Sequence, residues 1–231
     1  VDPVLAARAV VDHRYPEAVA AVLAGSSARG EATPTSDLDI VVVLNGSGGS
    51  FRETLLHQGQ VVEVFAYTGD EVRRWWDIDA TAGRCTLAHM CAHGLLLHGE
   101  QTGQRMQHDA RVFLAAGPPP VSGEELLLRR YRLTGAVDDL RDATDPGERQ
   151  VIAAAVLLEA AELHLITQRQ WRGQGKWLLR RLRAAAPALA ERLLQAHHHV
   201  TSTGDAQPMV DAVEGVLLDS GGRLAEGYRR G

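Results

Sequence analysis

Residues 37–44, DLDIVVVL, place two carboxylates at the head of an almost unbroken apolar, β-branched run. Such a run marks a strand covered on both faces, hence a central strand of a layered sheet. Asp37 and Asp39 stand at i and i+2, which on a strand puts them on one face, about 6–7 Å apart along the chain. Two carboxylates this close at the start of a buried strand repel each other unless a cation neutralises them. Hard oxygen ligands of this kind suit Mg²⁺, which takes further ligands from substrate phosphates.

The segment ahead of this strand reinforces that chemistry. Residues 18–24, AVAAVLA, read as a short apolar strand ended by Gly25. The Gly25-Ser26 turn then opens a short helical stretch, so backbone N–H groups and the Ser26 hydroxyl can face an anion, and a glycine lets the backbone approach phosphate oxygens closely. Two other phosphate loops are excluded. Gly25 and Gly30 match the spacing of the P-loop glycines, but Glu31-Ala32 stands where that motif needs Lys-Ser/Thr, and no G-x-G-x-x-G follows a strand. Residues 51–57 and 61–67 read as two further strands joined through Gly59. Glu63, flanked by Val62 and Val64, can complete a three-carboxylate cluster if those valines pack on the opposite side.

Gly25-Ser26, Arg29-Gly30, Ser36-Asp37-Leu38-Asp39-Ile40 and Glu63 together resemble the signature of the DNA polymerase β nucleotidyltransferase superfamily. The likeness is to its small aminoglycoside-nucleotidyltransferase-like members with a helical C-terminal domain, and it covers residues 18–68. It implies an α+β fold: a mixed sheet flanked by helices, followed by an all-α bundle. It also implies that Gly25 and Ser26 hold the triphosphate, with Arg29 and Ser36 beside them, and that Asp37 and Asp39 hold one or two Mg²⁺ ions. Glu63 would join the metal site or deprotonate the attacking hydroxyl. The implied reaction is transfer of AMP from ATP to a hydroxyl of a small molecule, an aminoglycoside-like antibiotic among the candidates, with release of pyrophosphate. Two alternatives stay open: AMP transfer to a protein or RNA partner of toxin–antitoxin type, and a module that binds nucleotide without turnover. The general base is open between Glu63 and Glu159.

Along the chain, GPPP at 117–120 separates an α/β part, 1–117, from a helical part, 121–231, expected to bind the acceptor and contact phosphate. In the first part helices are expected over 4–14, after Thr68 and Glu71 as a capping box, and over 84–93 and 100–116; NGSGGS at 45–50 is a loop. In the second, Ser122 with Glu125, and Asp145 with Pro146 and Glu148, open two helices reaching about 143 and 168. Further helices are expected over 174–185, 187–198 and 207–218, making a bundle.

Lys176 is the single lysine among 24 Lys and Arg residues. It lies near a helix N-terminus, where a cation opposes the dipole, and the resemblance gives it a β- or γ-phosphate across the cleft between domains. Glu159 interrupts the apolar stripe Ile152, Val156, Leu163, Ile166. It is read either as an acceptor-binding group or base in apolar surroundings, or as an acid paired with an arginine. Asp138 and Asp139 could hold a cationic acceptor. Cys85, His89 and His93 share a helical face, but with no further ligand in sight helix packing explains them better than zinc. The net charge of -5 and the absence of aromatics interleaved with basic groups on strands argue against a nucleic-acid substrate. No run of about 18 apolar residues stands out, and charges interrupt the N-terminal stretch, so the expectation is a cytoplasmic protein without membrane partners.

Overall fold

The computed structural model describes residues 2–46 and 49–229. The chain divides into two compact units, Val1–Gly117 and Pro118–Gly231. The fold is α+β.

In the first unit, helix α1 (Pro3–Arg14) is opened by Asp2, whose carboxylate accepts from the Val4 N–H at 2.8 Å. Strand β1 (Ala18–Leu23) runs into the single turn α2 (Gly25–Ala28). Strand β2 (Leu38–Leu44) follows, then the hairpin β3 (Phe51–His57) and β4 (Gln60–Thr68). Helices α3 (Gly69–Thr81) and α4 (Thr86–His93), strand β5 (Leu95–His98) and helix α5 (Glu100–Ala115) complete it. The sheet order is β3-β4-β2-β1-β5. Strands β2 and β4 are parallel and the other pairs antiparallel, so the sheet is mixed.

The apolar run at 38–44 does lie in mid-sheet, between β1 and β4. Its alternate residues serve two layers. Leu38, Ile40 and Val42, with Val62 and Val64 of β4, pack in one core with Ala6, Ala7, Val10 and Val11 of α1. Asp39, Val41 and Val43 face the other side with Glu63, Phe65 and Tyr67, because strand side chains alternate and Asp39 is paired with Glu63. Helices α3, α4 and α5 pack against this second side. The hairpin turn is Gln58-Gly59, both with positive φ (51° and 83°), as a two-residue connection demands.

The second unit consists of α6 (Gly123–Asp142), α7 (Pro146–Thr167), α8 (Lys176–Ala185), α9 (Pro187–Thr203) and α10 (Gln207–Asp219) around one core. Ser122 Oγ accepts from the Glu125 N–H at 3.1 Å and Asp145 Oδ1 from the Glu148 N–H at 2.8 Å, so both caps form. Helix α7 has the length and hydropathy to cross a membrane. Here Ala153, Val156, Ala160, Ala161, Leu163 and Leu165 are buried in the bundle core and Ile166 is also buried, while Glu159 and Glu162 pair with Arg129.

Several expectations need correction. Strand β5 fell between two expected helices with no expectation of its own: it is LLLH, without an alternating signature, and pairs with β1. Thr68 occupies the N-cap of α3 but its side chain makes no capping bond. Helix α9 runs on to Thr203, because the hydroxyls of Thr201, Ser202 and Thr203 bond back to carbonyls of His197, His198 and His199 and a left-handed Gly204 supplies the stop. The loop expected over 45–50 lies partly outside the described residues.

Leu163 is fully buried in the bundle. Leu163→Ala should lower stability by about 2–5 kcal/mol. Urea unfolding followed by circular dichroism reads this directly, and a loss under about 1 kcal/mol would contradict the packing described.

Candidate metal and nucleotide site

The backbone brings three carboxylates together from two neighbouring strands. In the parallel β2–β4 ladder Asp39 stands opposite Glu63, so the two side chains leave the sheet side by side. Asp37 lies one residue before β2 begins, not within it as the i, i+2 reading assumed. Its carboxylate nevertheless converges: ligand oxygens of Asp37, Asp39 and Glu63 all lie within 4.8 Å of one another, and all three residues are half-buried.

That arrangement stores electrostatic repulsion. The Asp39 carboxyl is pushed up to about 6, chiefly by burial, then by the charges of Asp37 and Glu63, with Arg52 and Arg29 opposing. A partly buried carboxylate crowded by two others is a place where a divalent cation is favoured. The residues therefore fit a hard cation such as Mg²⁺: three oxygen donors and no soft ligand.

Gly25 is fixed by this cluster as much as by any phosphate. It adopts φ +66°, and a Cβ built there would lie 1.8 Å from Asp39 Oδ2. The Ala24 N–H donates to the Asp39 carbonyl at 2.7 Å, which ties the end of β1 against the acidic residue. The turn Gly25–Ala28 thus passes directly over the carboxylate; its Ala28 N–H donates to the Ala24 carbonyl at 3.3 Å, while the N–H groups that open so short a helix have no carbonyl four residues back inside it. Ser26 is half-exposed beside them.

Two residues of this site escape sequence reasoning. Ser27, not Ser26, is the buried serine, and its hydroxyl donates to the Asp37 carbonyl at 3.4 Å, so it braces the loop that carries Asp37. Nothing in GSS distinguishes the two serines before the turn is built. Arg52 donates to Glu63 at 2.6 Å and lies 4.5 Å above the Phe65 ring. The two-residue hairpin turn was the available signal, since it sets Arg52 opposite Phe65 and diagonal to Glu63.

The remaining candidates are placed as follows. Arg29 caps the α2 turn and pairs with Glu31 at 3.1 Å. The Ser36 hydroxyl accepts from the Thr33 N–H at 2.9 Å and so shapes the turn leading to Asp37. Lys176 is exposed at the first position of α8 in the second unit. Glu159 is not enclosed in apolar surroundings: it is half-buried and pairs with Arg129 at 3.5 Å, within a network that includes Glu125, Glu162 and Arg172. Asp138 is engaged by Arg141 at 2.8 Å and by Arg223, and the Asp139 carbonyl accepts from the Ala143 N–H at 2.9 Å. Cys85 and Cys91 are buried and do not form a disulfide with each other.

The raised Asp39 carboxyl has a definite consequence for stability. Its folded value lies above the ordinary one, so between about pH 4 and pH 6 the folded state binds more protons than the unfolded state. Metal-free stability therefore falls as pH rises through that window. Asp39→Asn, nearly isosteric and uncharged, should raise the metal-free melting temperature at pH 7.5 and lose that advantage at pH 4. Calorimetric melting at both pH values in chelator checks this; an equal or lower melting temperature at pH 7.5 would contradict the crowding of charge. Gly25→Ala, by contrast, should displace Asp39 and cost about 1–3 kcal/mol or more at either pH.

No curated protein is significantly similar to the chain. Among solved structures it is similar to a nucleotidyltransferase-like protein from Exiguobacterium sibiricum 255-15, at 13% identity and a TM-score of 0.46, over 94% of this chain and 77% of that one. Residues 6–79, which include β1 through β4 and every carboxylate of the cluster, match the family model described as nucleotidyltransferase domain.

Proposed function

We propose that the protein is a Mg²⁺-dependent nucleotidyltransferase that moves AMP from ATP to a hydroxyl of a small-molecule acceptor. The observation that carries this reading is the convergence of Asp37, Asp39 and Glu63 within 4.8 Å directly beneath the Gly25–Ala28 turn. The match of residues 6–79 to a nucleotidyltransferase domain supports it.

Each residue then has a chemical task. Asp37 and Asp39 would hold the ion, with Glu63 completing the set. A bound Mg²⁺ supplies positive charge for the entering and leaving oxygens of an in-line displacement at phosphorus. The N–H groups and hydroxyl at Gly25 and Ser26 would orient the β- and γ-phosphates, and Arg29 lies one turn on to meet the same charge. As the acceptor oxygen bonds to the α-phosphorus and the bridge to the β-phosphate breaks, the hydroxyl proton passes to a carboxylate. Glu63 is the better candidate because it stands in the cluster with Asp37 and Asp39; both acids have an arginine partner, Arg52 for Glu63 and Arg129 for Glu159. Lys176 is assigned to the departing pyrophosphate and Ser36 to holding the Asp37 turn.

Calorimetric titration of ATP into the full chain tests this. The expected result is binding that requires Mg²⁺ and weakens by at least about tenfold in Asp37→Asn/Asp39→Asn, equivalent to ~1.4 kcal/mol. Equal binding by the variant, or binding indifferent to Mg²⁺, would sink the assignment.

A further inference from the structure

Beside Glu63, on the same side of the sheet, the first unit has a hollow of about 440 Å³, within the range that small-molecule sites occupy. Its floor is Arg52, Phe65 and Tyr67 of β3 and β4, and its wall is Trp75 and Asp79 of α3 with Leu87 and Met90 of α4. Arg52 connects it to the metal cluster, since the same guanidinium donates to Glu63 and covers Phe65.

Three features mark the hollow as built to receive something. Trp75 is 37% exposed, yet it is held in place: its indole N–H donates to Ser50 Oγ at 2.9 Å and its ring meets Tyr67 edge-on at 6.4 Å. An exposed but fixed tryptophan is apolar area without a folding role on its open side. Asp79 is half-buried in the lining, and among the described residues no cation pairs with it. Its Oδ2 has only a long contact, 3.4 Å, from the Leu87 N–H. Tyr67 and Asp79 both line the hollow, and burial with the charge of Asp79 raises the Tyr67 phenol.

The order of strands says which reactant belongs there. In-line displacement requires the attacking oxygen and the departing pyrophosphate on opposite sides of the α-phosphorus. The phosphate turn follows β1, the aspartates sit on β2, Glu63 on β4, and the hollow lies over β4 and β3. Across the sheet the sequence is phosphate turn, metal carboxylates, Glu63, hollow.

Resting on the nucleotidyl-transfer reading, we infer that this hollow is the acceptor site and that its substrate is an aromatic or similarly flat apolar alcohol with one cationic group. The body lies against Trp75, Phe65 and Tyr67, the cation meets Asp79, and the hydroxyl is presented to Glu63. A polycationic aminosugar does not suit it, because the lining offers one unpaired carboxylate and an arginine.

The test titrates 2-amino-1-phenylethanol, and separately kanamycin, into the full chain with and without Mg²⁺ and a non-hydrolysable ATP analogue. Wild type is compared with Asp79→Asn, which keeps an oxygen for the Leu87 N–H, and with Met90→Trp, which fills the hollow. The expected result is saturable binding of the aromatic amino alcohol, at least about tenfold weaker in Asp79→Asn and lost in Met90→Trp, with analogue affinity unchanged within about twofold. Absence of saturable binding in a wild-type protein that does bind the Mg²⁺–analogue complex overturns the acceptor site alone. Tighter binding of kanamycin through Asp79 overturns the substrate class. Weakened analogue binding in Met90→Trp means the hollow takes the nucleobase instead. If wild type binds no Mg²⁺–analogue complex, the transfer reading falls, and the acceptor role with it.

Discussion

The architecture of the first unit turns on one close approach, that of the Asp39 carboxylate to the backbone of Gly25. With 1.8 Å between a hypothetical Cβ and Oδ2, no other residue fits at position 25 without moving the acid. The contact is enforced from both sides: the Ala24 N–H holds the Asp39 carbonyl, and the β2–β4 register holds Asp39 against Glu63. The proposed chemistry of the site rests on it. It sets anion-seeking N–H groups directly over cation-seeking carboxylates, and a metal–phosphate pair satisfies both at once.

The acids also stand partly buried against the sheet. Both faces of β2 are covered, by α1 on one side and by α3 on the other. Desolvation is the largest cause of the raised Asp39 carboxyl, and desolvation is what makes a bound cation valuable there. A surface cluster of three acids would be screened by water and would hold a metal weakly. Arg52 acts as a partial counter-charge on the outer side of Glu63, reaching the cluster from the neighbouring strand rather than from sequence-adjacent residues.

Much of this was legible in the chain itself, for identifiable reasons. The run at 38–44 could only be a central strand because its apolar residues are continuous, and the alternation at 61–65 set Glu63 opposite Val62 and Val64. Helix caps at Ser122 and Asp145 follow from chemistry local to a few residues. What escaped depends on tertiary pairing. Strand β5 exists because β1 offers it an edge, Arg52 matters because a hairpin turn sets its register, and Ser27 is inward because of how one turn is wound. Glu159 was legible as two alternatives, and the arginine partner that one of them required is Arg129 of α6, which its stripe position could not name.

The most direct measurement is a crystal structure of the full chain grown with Mn²⁺ and a non-hydrolysable ATP analogue, with the metal located by anomalous scattering. The account predicts an ion about 2.0–2.2 Å from carboxylate oxygens of Asp37 and Asp39, sharing phosphate oxygens held at the Gly25–Ala28 turn. Nucleotide bound with its metal elsewhere, or an ion at the cluster with the triphosphate away from that turn, would contradict it.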